Sequence, residues 1–209
     1  DCQLKTNRLY GLMNRLVVFG CSSTYGQGLP DCPTGDEKPS LLAWPSLLAK
    51  ELDIECVNTS TCGAPNKKIL LQILDFPFKK DDIVITLWSF HHRGYIFDNP
   101  KKVKSIMVRE DAPNYFYSIH TEYDMCVDMT LYMHHAQKHL DNLNVRNHHF
   151  YFDSVMNNHV LTKKNIVDVN ADFISYEKLK VDRASDNIHM GVKTHNNIAE
   201  FIFNKVISK

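Results

Sequence analysis

Two short strings carry the side chains needed for nucleophilic chemistry, and they stand near opposite ends of the sequence. The first is Gly20-Cys21-Ser22-Ser23-Thr24-Tyr25-Gly26. A Ser held among small residues where a strand turns into a helix presents its hydroxyl, and its own backbone N–H is left to face a bound oxygen. The second is Asp186-Asn187-Ile188-His189. A spacing of three puts carboxylate and imidazole on one side of a turn, and an Asp that accepts from one ring nitrogen leaves the other basic. A third point is Gly63, in Thr59-Ser60-Thr61-Cys62-Gly63-Ala64. Glycine takes positive φ freely and can bring a backbone N–H close to a ligand. Each feature also has an ordinary explanation. Gly/Ser turns are common, a Gly before a helix is a plain turn, and Asp-x-x-His fits a helix whose N-cap is the Asp.

The elements around these strings decide what they mean. The sequence has 209 residues and is 44% apolar, enough for one domain with a real core, expected to span residues 1–209. Arg15 to Gly20 reads as a buried strand, Gly28 to Pro39 as a loop, and Trp44 to Leu52 as a helix opened by Pro45. Ile54 to Thr59 is a second strand, Asn66 to Leu74 a helix with Ile69, Leu70, Ile73 and Leu74 on one stripe, and Asp82 to Trp88 a central strand. Residues 91–121, aromatic and Pro-containing, read as an insertion over the active-site edge. A long helix from Glu122 to Leu143 and a strand from His149 to Asp153 follow. Ala171 to Tyr176 is a short fifth element, and a closing helix from Gly191 to Ile207 turns Ile198, Phe201, Ile202 and Val206 inward. Strands alternating with helices imply an α/β fold: a three-layer α/β/α sandwich around a mainly parallel, flavodoxin-like sheet. Ligands of such sheets bind at the carboxyl ends of the strands, here after Gly20, Thr59, Trp88 and Asp153.

Taken together, the strings carry a resemblance. Phe19-Gly20-Cys21-Ser22-Ser23-Thr24-Tyr25-Gly26 resembles the first sequence block of SGNH/GDSL hydrolases, usually Gly-Asp-Ser-x-Thr-x-Gly. Asp186-Asn187-Ile188-His189-Met190-Gly191, followed by His195, Ile198 and Ala199, resembles their last block, and Gly63 falls where the second block has its oxyanion Gly. The resemblance implies ester hydrolysis with Ser22 as nucleophile, His189 as base and Asp186 as its orienting acid. The N–H groups of Ser22 and Gly63 would hold the oxyanion, with no metal and no cofactor. There are departures. Cys21 stands where the family has Asp. The third block, normally Gly-x-Asn-Asp, is here Leu87-Trp88-Ser89-Phe90-His91-His92-Arg93, without Asn. Ser89 and His91 are the residues available as a third oxyanion donor, and Arg93 is available as a donor or a substrate-binding residue. Loss of one such donor commonly costs about 10² to 10³ in rate. The variant resembles divergent phage and microbial members. Among family substrates, O-acetyl groups on a carbohydrate fit best; a lipid esterase, thioesterase or acyltransferase would use the same three residues. The rival is a non-catalytic glycan-binding or structural module that retains the fold.

Other signals point elsewhere or nowhere. Lys plus Arg equals Asp plus Glu, at 24 each, so no clustered charge favours nucleic acid. The longest apolar runs are too short to span a bilayer. No signal-like segment opens the sequence as given, so the expectation is a cytoplasmic protein or part of a larger, viral-type assembly; a fragment of a longer protein reads the same way. The partner expected is a small-molecule or glycan ester, with oligomeric state open. The 6 cysteines form no Cys-x-x-Cys pair and read as mostly reduced, with a disulfide from Cys2 or Cys32 the exception. His135 and His139 have helical metal-ligand spacing, but Ala136 stands where a metalloprotease helix needs Glu. Tyr95, Phe97 and Tyr115-Phe116-Tyr117 either line a cleft or pack the insertion. Asp153-Ser154 match no motif, and Trp88 is expected in the core.

Overall fold

In strand β1 (Arg15–Phe19) side chains alternate between two sheet faces, and both faces are apolar. Leu16 and Val18 enter one cluster, with Trp44, Leu48 and Leu52 of one helix and Ile198, Ile202 and Val206 of another. Val17 and Phe19 enter a second, with Ile69 and Ile73 and with Met129, Met133 and Leu140. A strand buried on both faces requires helices on both, and this is the architecture of the computed structural model, which describes residues 15–99, 102–107, 121–152, 154–158 and 169–207. The elements are β1, α1 (Ser22–Tyr25), α2 (Trp44–Leu52), β2 (Glu55–Asn58), α3 (Asn66–Asp75), β3 (Asp82–Trp88), β4 (Arg93–Asn99), β5 (Lys102–Met107), α4 (Glu122–Asn142), β6 (Arg146–Tyr151), α5 (Ser154–Asn158), β7 (Ala171–Phe173), α6 (Tyr176–Leu179) and α7 (Val192–Ile207). The main sheet runs β2-β1-β3-β6-β7, every pair parallel. Its order reverses beside β1, the switch point at which α/β sheets open a crevice.

Two expectations need correction. The fourth sheet strand starts at Arg146, three residues before His149, and ends at Tyr151. Its polar entry hides it from hydropathy: Arg146 Nη2 donates to Val206 O at 2.6 Å, and Asn147 Nδ2 to Asp141 Oδ1 at 2.9 Å. Phe201 faces inward as expected, packing edge-on to the buried Phe150, and Ala199 joins it on the inner side of α7. Within the 91–121 stretch, β4 and β5 form an antiparallel pair separate from the main sheet. Cys21, Cys32, Cys56, Cys62 and Cys126 are free thiols, so Cys32 forms no disulfide; Cys2 lies outside the described residues. Among the described residues no helix is long and apolar enough to cross a membrane.

The N-terminal ends of β1 and β3 are tied by charge. Arg15 Nε reaches Asp82 Oδ1 at 2.7 Å and Nη2 reaches Oδ2 at 2.9 Å; the Asp82 side chain has no exposed surface. With Arg15 removed, Lys79 N–H, at 2.8 Å, is the remaining donor. Arg15→Met is expected to destabilise the fold by about 3–5 kcal/mol, as for a buried pair stripped of one partner. The check is a chemical denaturation midpoint shift at unchanged slope.

Two buried histidines make stability depend on pH. Trp44 N–H donates to His195 Nδ1 at 3.1 Å, joining α2 to α7. Burial pushes His195 down to about 4, with Asp182 and Asp31 pulling the other way. Burial does the same to His149, also to about 4, and Trp88 Nε1–H donates to its Nδ1 at 3.2 Å. In the unfolded chain both protonate near the ordinary value of about 6.5. Between these values the unfolded state binds more protons, so stability is full above pH ~6.5 and falls as pH drops towards 4. Denaturation midpoints measured across that window are expected to decline. His195→Asn, which keeps an acceptor for Trp44, is expected to flatten the decline.

Candidate active site

The carboxyl ends of β1, β2 and β3 meet at one edge, and hydrogen bonds beyond the strands hold their loops together. Past β2, Thr59 N–H and Oγ1 both donate to Val18 O, at 2.9 and 2.8 Å, and Thr61 N–H donates to Gly20 O at 3.3 Å. Asn58 Nδ2 donates to Thr24 O at 2.9 Å while its Oδ1 accepts from Ser60 N–H at 3.1 Å, clamping α1 to the β2 loop. Ser22 and Gly63 are therefore carried on neighbouring turns. Ser22 is buried and starts α1. Gly63 has φ +69, a conformation that L side chains rarely take, and a Cβ there would meet nothing within 4 Å. Neither Ser22 N–H nor Gly63 N–H has an acceptor among the described residues. Cys62 beside Gly63 is a neutral thiol: burial, then Cys32 and Cys21, pushes it up to about 11.

Asp186 and His189 sit on a loop that closes on itself. Ala184 N–H donates to His189 O at 3.0 Å, Asn187 N–H to Ala184 O at 3.0 Å, and Gly191 N–H to Asp182 O at 3.3 Å. Asn187 takes φ 58, which Asn tolerates better than most residues. His189 Nδ1 lies 2.5 Å from Asp186 Oδ2. The other carboxylate oxygen accepts from Ile188 and His189 N–H, each at 2.9 Å. Burial would raise the Asp186 carboxyl, but the imidazole and these two N–H groups outweigh it and hold it below the usual range. The carboxylate therefore stays ionised and fixes Nδ1–H, which leaves Nε2 as the basic nitrogen. Asp186 is not the cap of the closing helix; that helix starts at Val192, and Asp182 accepts from Lys193 and Thr194 N–H instead. No hydrogen bond joins Ser22 Oγ to the His189 ring.

The residues after β3 divide. Ser89 N–H donates to Asn66 Oδ1 at 2.7 Å, and its buried Oγ has no partner among the described residues. Asn66 Nδ2 is committed to Ser89 O at 3.1 Å and Phe90 O at 3.3 Å. The His91 ring faces Glu122 of α4, 3.9 Å from Oε2, and stands edge-on to His92. Arg93 lies against the Phe90 ring. Trp88 is buried, as expected. His135 is exposed, and no three metal-ligating side chains cluster among the described residues. Tyr115-Phe116-Tyr117, Asp153 and the side chains of Tyr95 and Phe97 lie outside the described residues.

No family model matches this sequence, and no curated protein sequence matches it. Solved structures do. A carbohydrate esterase described as having divergent catalytic and non-catalytic binding functions at its active site superposes with TM-score 0.61 at 13% identity, over 94% of this chain and 69% of that one. An acetyl xylan esterase from the rumen bacterium Butyrivibrio proteoclasticus gives 0.58 at 14%, over 93% and 64%. A lipolytic protein of the G-D-S-L family from Desulfitobacterium hafniense gives 0.52 at 12%, over 92% and 99%. This chain has the SGNH/GDSL hydrolase fold. The match takes in nearly all of the G-D-S-L protein but only about two thirds of the two carbohydrate esterases, which are longer chains.

Within this SGNH/GDSL fold, four positioning residues escaped the sequence reading. Asn58 and Asn66 are polar residues at element ends, where such residues are too common to stand out. Ser185 and Gly28 are the others. Ser185 N–H and Oγ both donate to Gly28 O, at 3.2 and 2.9 Å, fastening the loop after α1 to the loop of Asp186. Gly28 has φ +87, and a Cβ there would stand 2.6 Å from Asp186 Oδ2. Gly28→Ala is expected to cost more than about 1 kcal/mol in stability and to displace the carboxylate. The native protein is expected to show a far-downfield proton resonance from His189 Nδ1–H, and Gly28→Ala to shift or erase it.

Proposed function

We propose that this protein is a serine esterase that removes O-acetyl groups from a carbohydrate. The observation that carries this reading is the Asp186–His189 pair, 2.5 Å apart, on a loop fastened to the turn that follows Ser22. An ionised carboxylate oriented by two backbone N–H groups is what a general base needs behind it. Ser22 Oγ attacks the ester carbonyl as His189 Nε2 takes its proton; the Ser22–His189 bond forms as substrate binds, as in many unliganded sites. The Ser22 and Gly63 N–H groups donate to the developing oxyanion. The intermediate collapses, His189 returns the proton to the departing sugar hydroxyl, and Ser22 keeps the acyl group. Water then attacks the acyl-enzyme, with His189 as base again, and acetate leaves. The carbohydrate esterases among the structural neighbours support the substrate class, and the open space at Gly63 leaves room for it.

A second reading has its own support. Of the groups after β3, the Ser89 N–H is committed to Asn66, and Asn66 is committed in turn to Ser89 and Phe90, so neither serves as a third oxyanion donor. A site so reduced could bind glycan without cleaving it.

Labelling with a fluorophosphonate probe, followed by peptide mapping, separates the two. Esterase chemistry predicts labelling at Ser22, loss of labelling in His189→Ala, and a rate reduced about 10³-fold or more in Asp186→Asn. A folded native protein that neither labels nor hydrolyses 4-nitrophenyl acetate would leave glycan binding as the function.

A further inference from the structure

The segment after β3 carries a cation that this chemistry does not use. Arg93 opens β4, and its Nε and Nη1 are buried without a hydrogen-bond partner among the described residues. Its guanidinium carbon lies 5.8 Å from the centroid of the Phe90 ring, a contact that offsets only part of the cost of taking a charge out of water. Among the described residues no carboxylate is paired with it, and Glu122 lies 3.9 Å from His91 Nε2. A guanidinium part-sunk in a low-dielectric rim attracts an anion more strongly than one in bulk water. Its planar fork suits a carboxylate.

Its place in the fold is set from two sides. The carbonyls of Ser89 and Phe90 are held by Asn66, three residues after Gly63. Phe90 itself packs against the cluster that contains Met190, the residue after His189. Arg93 thus stands on a segment whose start is held by Asn66, at the edge of the sheet where the chain leaves β1 and β3.

We propose, resting on the esterase reading above, that Arg93 is the specificity-determining residue of the site and binds the carboxylate of an acidic sugar. The substrate is then an O-acetylated uronic acid rather than a neutral acetylated sugar.

The test compares kcat/KM for O-acetylated galacturonate and for the equally acetylated methyl galactoside. The native protein is expected to prefer the acidic ester. Arg93→Gln is expected to reduce that preference about tenfold or more, the loss of a charged hydrogen-bonding partner, and Arg93→Lys to recover part of it. An unchanged ratio in Arg93→Gln overturns the proposal. Should that variant fail to fold, Ser22→Ala with Arg93 intact answers the same question by calorimetry. Tighter, salt-sensitive binding of the acidic ester supports the proposal, and equal binding of the two esters overturns it. Because this binding needs no turnover, it separates failure of Arg93 from failure of the esterase reading, which the fluorophosphonate probe reports.

Discussion

The parallel pairing of β1 with β3 is the constraint on which the rest depends. Their register, Arg15 with Asp82 through Phe19 with Thr86, is locked at the entry end by a buried bidentate ion pair. A slip of one residue would turn each strand's side chains to the opposite face and part the two charged partners. With the entry end fixed, the exit ends are fixed too. The chain then leaves β1 towards Ser22 and β3 towards Ser89 at the same edge, where the order of the sheet reverses.

At the exit edge, hydrogen bonds between polar groups tie together loops that are far apart in sequence. Asn58 joins α1 to the loop of Gly63. Asn66 joins the start of α3 to the residues after β3. Ser185 joins the loop of Asp186 to the turn of Gly28. Each amide or hydroxyl bridges two segments far apart in sequence. Beside Gly63 a Cβ would meet nothing within 4 Å. Below this layer the two apolar clusters carry the stability.

The sheet and its helices were legible because their signals are local. Apolar alternation in β1, the unbroken apolar run of β3 and Pro45 at the start of α2 each follow from a few adjacent residues. Where polar residues lead an element, as Arg146 and Asn147 do in β6, the signal fails, since their partners Val206 and Asp141 are known only once the chain has folded. The site divides in the same way. Asp186 and His189 are three residues apart, so their pairing was visible in the sequence. Asn58, Asn66, Gly28 and Ser185 act across long separations, and nothing beside them in the sequence marks the role. The segment Ser89–Arg93 was singled out only by what it lacks, and its actual arrangement depends on Asn66.

The loop of Asp186 and His189 is tied off at its own base, with Asp182 bonded to Gly191 and Arg183 bridged to Met190. Carboxylate and imidazole therefore share one short loop bonded within itself, and their mutual geometry is set there. The serine belongs to a different stretch of chain, joined to that loop through the bonds from Ser185 to Gly28 O. The geometry of one pair is thus local, whereas the placement of the serine against it is a product of the tertiary fold.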